Sequence, residues 1–252
     1  MDSIAEKFSV FDYFNLLIGG FVFLLGVGLG EYPDSGQFIE NWSATISDST
    51  FLLILSIVGV IAISYVIGII INEISSWYFK TKKGFEKTKI ENCLKDPNVV
   101  GNSGKLKRYR EKANTLFLKQ EKSKTKYSEE ECSDYFAHCV YYIQIRNQNE
   151  KPERLREVQG LSMLLSGTFA LIPFASLFIG ILTNTICHNV CIKLMIYAFS
   201  IVFSVLFYNK YKQDILNRIR MVLAIYDVCV DMENITDEPK QNKKERGNKR
   251  WD

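Results

Sequence analysis

The sequence predicts an all-α integral membrane protein, with four transmembrane helices in two hairpins and a helical cytoplasmic module. Two patterns predict it. Apolar residues gather into four blocks of membrane-spanning length, and lysine and arginine avoid the connections on one side of those blocks. Composition alone does not predict it. The 252 residues are 47% apolar with mean hydropathy −0.01, close to an ordinary soluble domain.

The first block runs from about Phe11 to Gly30, with Asp12 and Asn15 only at its start. The second, Phe51 to Ile71, and the third, Leu161 to Leu182, carry no charge. The fourth, about Ile186 to Tyr208, holds one charge, Lys193, whose stem can carry its ammonium outward to the interface. Each approaches the roughly 20 residues that cross about 30 Å of hydrocarbon. The first block is too long for a signal-peptide core, and Gly26-Val27-Gly28 is a poor cleavage site, so it is expected to stay as a helix.

Charge sets the expected orientation. Of 31 Lys and Arg residues, 19 lie between Lys80 and Arg156 and ten between Lys210 and Arg250. Loop Glu31–Thr50 has none, and it carries Glu31, Asp34, Glu40 and Asp48. Basic segments stay on the cytoplasmic side. The loop at 31–50 and the short turn Thr183–His188 are therefore expected outside, and both termini in the cytoplasm of a bacterial inner membrane. Tyr32 and Trp42 would mark the outer interface. Trp77, Tyr78, Tyr208 and Tyr211 would mark the inner one.

The expected organisation is a first hairpin in 1–79, a basic helical insert in 80–156, and a second hairpin in 157–208. A cytoplasmic helix in 209–233 packs on the insert, and 234–252 forms a disordered basic tail. Helices in lipid associate through small residues. Gly19, Gly20, Gly26, Gly167, Ser176 and Gly180 are the candidate packing positions, and Pro173 is expected to kink the third helix.

Within the insert, Lys105–Tyr127 reads as a helix with Leu106, Tyr109, Leu116 and Phe117 as its apolar stripe. Asp96-Pro97-Asn98 and Gly101-Asn102-Ser103-Gly104 break the chain before it. Ser128 with Glu131 reads as a capping box opening a helix that carries Tyr135, Phe136, Cys139, Val140, Tyr142, Ile143 and Ile145. Lys151-Pro152-Glu153 ends or bends that helix. Two helices bury little core alone. Their expected partner is the stretch after the fourth span, where Ile215, Ile219, Val222, Ile225 or Tyr226, and Cys229 recur at helical spacing.

Catalytic equipment is not visible. The chain has two histidines and no Ser/His/acid or Cys/His arrangement, P-loop or dinucleotide-binding glycine motif. Gly101-Asn102-Ser103-Gly104-Lys105 lacks the ending and preceding strand of a phosphate loop. Cys132, His138 and Cys139 lack metal-ligand spacing. No catalytic residue, metal or cofactor is expected. Transporters and proton relays keep ionisable groups at the midplane of their helices, and none stands there. The polar pair nearest a span is Asp12 with Asn15, at the cytoplasmic mouth of the first helix. Lys105, Lys107, Arg108, Arg110 and Lys112 are the candidate anion- or partner-binding residues, with anionic lipid headgroups the first expectation. A net charge of +3 does not indicate strong nucleic-acid binding.

The segment Phe11-Asp12-Tyr13-Phe14-Asn15-Leu16-Leu17-Ile18-Gly19-Gly20 resembles the aromatic-Asp-x-aromatic-x-x-Leu-Ile-Pro-Gly opening of small, mostly uncharacterised bacterial inner-membrane proteins. Those proteins are also similar in placing two membrane hairpins around a basic helical insert. The resemblance covers ten residues and departs at Gly19, where the pattern has Pro. It implies a bacterial inner-membrane protein, some of whose kind occur among anti-phage defence genes as membrane effectors or anchors.

The expected function is therefore a non-enzymatic membrane effector or anchor. Its cytoplasmic module would receive a protein partner or a signal, and its homo-oligomeric bundle would alter membrane permeability or localise the partner. A constitutive small-solute channel or transporter, and an accessory scaffold subunit, are the alternatives.

Overall fold

The computed structural model describes the backbone of residues 10–47, 49–81, 84–118, 126–183 and 190–247, and the side chains of 12–30, 40, 49–78, 84–116, 126–183 and 190–233. Among the described residues every regular element is a helix. In order these are α1 (Val10–Ser47), α2 (Thr50–Thr81), α3 (Phe85–Ile90), α4 (Pro97–Val100), α5 (Ser103–Leu118), α6 (Glu129–Ile145), α7 (Glu150–Leu182) and α8 (Val190–Gly247). Four of them, α1, α2, α7 and α8, are long and apolar enough to cross a membrane.

The chain divides into two compact units. One comprises Met1–Lys82 with Glu157–Gln213, the other Lys83–Arg156 with Asp214–Asp252. Helices α7 and α8 contribute residues to both.

In the first unit α1 packs against both α2 and α7, and α2 also meets α7 at Gly167. A Cβ at Gly20 would sit 1.7 Å from the Ser64 carbonyl oxygen, and one at Gly68 would sit 1.9 Å from the Leu16 carbonyl oxygen. The α1 and α2 backbones therefore touch, which only glycine permits. Numbers rise on one helix as they fall on the other, so the pair is antiparallel. Gly19 meets Leu164, Gly26 meets Ile172 and Gly30 meets Ser176, so α1 and α7 run parallel. Buried positions of α2 recur as Ser64, Gly68, Ile71 and Ser75, steps of four, three and four that mark one helical face. Most other side chains of α2 are exposed.

The second unit has its own core. Leu94, Val99 and Val100 from the α3–α4 region and Leu106, Tyr109 and Ala113 of α5 are all buried. Cys132, Tyr135, Phe136, Cys139 and Ile143 of α6 are buried too, with Ile215, Ile219, Leu223 and Tyr226 of α8. Its helix ends are capped from the sequence. Asp96 Oδ1 accepts from the Asn98 amide at 2.8 Å, opening α4. Gly101 closes α4 at φ 110°, a left-handed conformation that favours glycine. Asn102 Oδ1 accepts from the Lys105 amide at 2.8 Å, opening α5. Ser128 and Glu131 form the expected capping box, with bonds of 3.1 and 2.8 Å.

Several expectations change. The segment expected as an outer loop, 31–50, is helical to Ser47, because loss of apolar character ends a membrane span without ending a helix. Pro152 does not terminate α6, which stops at Ile145. It lies in the first turn of α7, where its missing N–H costs no bond. Helix α5 ends at Leu118 rather than Tyr127, while 119–125 lie outside the described residues. Its buried stripe is Leu106, Tyr109 and Ala113; Leu116 is exposed, and Phe117 is outside the described side chains. Ile145 is exposed as well. The stretch expected as a disordered tail from 234 is helical to Gly247, and 248–252 lie outside the described residues. That stretch is rich in Lys, Glu, Gln and Arg, residues of good helix propensity, and it follows an unbroken helix. The expected start of the fourth span near Ile186 also lies outside the described residues.

Candidate functional site

In the first unit a seam of hydrogen-bonded hydroxyls runs between α7 and α8. Ser166 Oγ donates to the Ser204 carbonyl at 3.0 Å, and Ser204 Oγ donates back to the Ser166 carbonyl at 2.9 Å. Ten residues further along α7, the Tyr197 hydroxyl donates to Ser176 Oγ at 3.0 Å. Gly30 of α1 backs that bond, since a Cβ there would lie 3.0 Å from Ser176 Oγ. Ser200 is buried between the two ties. Phe169 stacks on Phe203 and Phe207, with centroids 5.2 and 5.7 Å away, and closes one side of the seam.

Lys193 begins the same α8 face. The sequence places it as a snorkelling residue, but it is only 4% exposed. It stands one turn before Tyr197, on the helical face that holds the seam. Lys193, Tyr197, Ser200 and Ser204 are spaced four, three and four, the signal that could have marked this face in advance. Two further hydroxyls, Ser64 and Ser75 on α2, are buried with no hydrogen-bond partner at Oγ. Ser75 occupies the notch at Gly167, where a Cβ would lie 1.8 Å from its Oγ. The expected packing positions Gly19, Gly20, Gly26, Gly167 and Ser176 thus all stand at helix contacts, and Gly180 is buried. Asp12 is a first-turn acid of α1 and, like Asn15, half-buried. A carboxylate there suits the positive end of the helix.

The five basic residues of α5 do not form one surface. A helix turns 100° per residue, so Arg108 and Lys112 share a face that Lys107 and Arg110 do not. Lys112 Nζ lies 2.5 Å from Asp227 Oδ1 and 2.7 Å from Asp231 Oδ1, and donates to the Asp227 carbonyl at 2.7 Å. Arg108 Nε lies 2.9 Å from Asp227 Oδ1, and its Nη2 pairs with Asp231. Around Asp227 Oδ1 these are close ionic contacts without hydrogen-bond alignment. Arg110 Nε donates to the Leu94 carbonyl at 2.8 Å. Lys105 and Lys107 are exposed. Two basic side chains that the sequence did not single out work in the same way as Arg108 and Arg110. Arg220 donates to the Val99 and Asn98 carbonyls at 3.0 and 2.6 Å, satisfying the end of α4, and Arg218 pairs with Glu86.

Cys93, Cys132 and Cys139 are fully buried, and Cys93 Sγ donates to the Cys132 carbonyl at 3.4 Å. The neighbouring Cys132 side chain and burial push the Cys93 thiol far above its ordinary range. Burial raises Cys139 as well. Burial pushes Tyr109 up to about 12, with Asp227 adding to it. His138 lies edge-on to Tyr226, 5.7 Å between centroids, and beside Tyr142; desolvation lowers its pKa. Among the described residues no three His, Cys, Asp or Glu side chains converge as metal ligands.

No protein-family model, curated protein or solved structure matches the chain.

Proposed function

We propose that the protein is a non-enzymatic effector or anchor of a bacterial inner membrane. Its four spans form two hairpins, both termini are cytoplasmic, and the second unit lies in the cytoplasm. That unit receives a protein partner or a signal. The first unit, assembled as a homo-oligomer, responds by changing membrane permeability or by holding the partner at the membrane. Anti-phage defence is the setting that the Phe11–Gly20 resemblance suggests.

The observation that supports this reading is the division of the chain itself. One unit carries the four long apolar helices, and the other carries a separate core tied by ion pairs. Helices α7 and α8 continue from one to the other without a break in helical backbone. A helix transmits displacement along its axis, so a partner acting on the second unit has a mechanical route to the seam. The basic residues of α5 support a narrower binding role than their number suggests, because Arg108, Arg110 and Lys112 serve the fold. Lys105 and Lys107 remain for anionic headgroups or an acidic partner.

The test is membrane potential in cells expressing the protein together with its neighbouring genes, read with a potential-sensitive dye. Depolarisation that disappears in Lys105→Glu/Lys107→Glu supports an effector receiving its signal through α5. Unchanged potential with the protein in the membrane fraction contradicts the permeability reading and leaves the anchor.

Burial of Lys193 favours the second reading, a constitutive channel or transporter. Ionisable groups held inside a bundle mark conduction paths more often than packing. Flux of small ions across vesicles containing the purified protein alone, lost in Lys193→Met, would select it.

A further inference from the structure

Cys93 and Cys132 come from different elements of the second unit and meet in its core. Cys93 lies in the turn that follows α3, and Cys132 is the fourth residue of α6. Both are fully buried. The Cys93 thiol donates to the Cys132 carbonyl at 3.4 Å and also hydrogen-bonds the Cys132 sulfur itself. The two stand 39 positions apart in the chain, with α4 and α5 between them. Cys139 does not compete for Cys132. It lies further along the same helix, a rise of roughly 10 Å, and a disulfide needs Cα atoms within about 7 Å.

Their surroundings make the two thiols unequal. The Cys132 sulfur receives the Cys93 thiol and the Leu94 backbone amide, Lys95 stands near, and the positive end of α6 is one turn away. These groups hold Cys132 below the ordinary thiol value, against burial and the Glu131 carboxylate. Cys93, which gives the hydrogen bond, is held far above that value. Tyr127, Tyr135 and Cys139 also face the pair; all three are shifted up and stay neutral. A thiolate beside a protonated thiol is the arrangement of a reactive dithiol.

We infer that Cys93 and Cys132 are a modification site, a dithiol that hydrogen peroxide oxidises to a disulfide. The Cys132 thiolate attacks one peroxide oxygen, the O–O bond breaks, and the leaving hydroxide takes a proton from solvent. Cys132 is then a sulfenic acid. The Cys93 sulfur attacks the Cys132 sulfur, the S–O bond breaks, and hydroxide leaves as water with the Cys93 proton. Two thiols have lost two electrons and two protons, and the peroxide has become two waters. Burial sets the class of oxidant. Full enclosure shuts out a peptide or glutathione disulfide, while hydrogen peroxide is hardly larger than water. It needs only fraying of the exposed start of α6, Ser128–Glu130. The site stands on the core of the second unit and goes beyond the function proposed above. In the reducing compartment assigned to that unit, a disulfide is transient and redox-sensing.

The experiment treats the full chain, purified in detergent, with a slight excess of hydrogen peroxide. Free thiols are then blocked and the cysteine peptides mapped by mass spectrometry. The wild-type chain should show Cys93 joined to Cys132, and dithiothreitol should release the link. The rate should rise with pH and level off below about 8.5, the ordinary thiol value. Cys93→Ala should leave Cys132 as a sulfenic acid that a dimedone probe labels. Cys132→Ala should leave Cys93 reduced, and Cys139→Ala should keep the link. The wild-type map decides even if these variants do not fold. Cys93 and Cys132 that stay reduced while the exposed Cys191 is oxidised overturn the inference. So does a link to Cys139, a link that forms only in denaturant, or a rate still rising above the ordinary thiol value.

Discussion

Ser166 and Ser204 exchange hydrogen bonds, each hydroxyl donating to the other's backbone carbonyl across the α7–α8 seam. Both acceptors lie within helices, so losing a hydroxyl strands no carbonyl. Interhelical bonds of this kind contribute about 0.6 kcal/mol on average in membrane proteins, with a maximum near ~1.7. Ser166→Ala and Ser204→Ala should each lower stability by about that average. The double variant should lose about twice as much, measured by unfolding in mixed detergent. A loss above about 3 kcal/mol for one substitution would mean that the seam carries more than these two bonds.

Gly20 and Gly59 should respond in opposite ways to the same change. Gly20→Ala places a methyl group 1.7 Å from the Ser64 carbonyl oxygen, a backbone atom that cannot turn aside. Separating α1 from α2 should cost about 3 kcal/mol, the upper end of ordinary overpacking. Gly59 has nothing within 4 Å of a built Cβ. Gly59→Ala should be neutral or stabilise by up to about 1 kcal/mol through helix propensity. Thermal unfolding of the two variants in one detergent separates them.

Lys112 and Arg108 bind the same carboxylates but should not matter equally. Lys112 has 15% of its side chain exposed, Arg108 50%. Lys112→Met removes a half-enclosed ammonium from Asp227, Asp231 and a carbonyl, and should cost about 2 kcal/mol, the range for hydrogen bonds to charged groups. Arg108→Met should cost about 1 kcal/mol or less, as water already screens that pair. Equal losses would show that exposure does not set the ranking here.

Acidification should weaken the second unit through His138. Its pKa is lowered in the folded chain, so the unfolded chain binds a proton first as pH falls. The stabilising contribution is complete above about 6.5, the ordinary imidazole value, and is lost as pH drops through the lower folded value. His138→Gln should flatten the stability profile in that window, measured by chemical unfolding between pH 7.5 and 5. An unchanged slope would contradict the assignment.

How much was legible in the sequence follows from the kind of force involved. The four long apolar helices could be read directly, because hydrophobic blocks need no partner to be recognised. The capping box at Ser128 and Glu131 was equally local. Helix ends at Ser47 and Gly247 were not, since polar chain can stay helical where hydropathy gives no cue. The α5 cluster was misleading for a related reason. Five basic residues in eight positions look like one patch, but their fate depends on Asp227 and Asp231, more than a hundred residues away. Lys193 is the same case: its position near a helix start suggested an outward stem, yet it is buried. The seam did leave a trace, in the four-three-four spacing of Lys193, Tyr197, Ser200 and Ser204. Charge and hydropathy counts pass over hydroxyls.

Sidedness is the central claim, and single-cysteine labelling tests it most directly. Thr183 and Lys105 are both exposed, one at the end of α7 and the other on α5. With the native cysteines replaced, Thr183→Cys should react with an impermeant maleimide added to cells whose inner membrane is intact. Lys105→Cys should react only after that membrane is broken. Labelling of Lys105→Cys in intact cells, or recovery of the chain in the soluble fraction without detergent, would contradict the account.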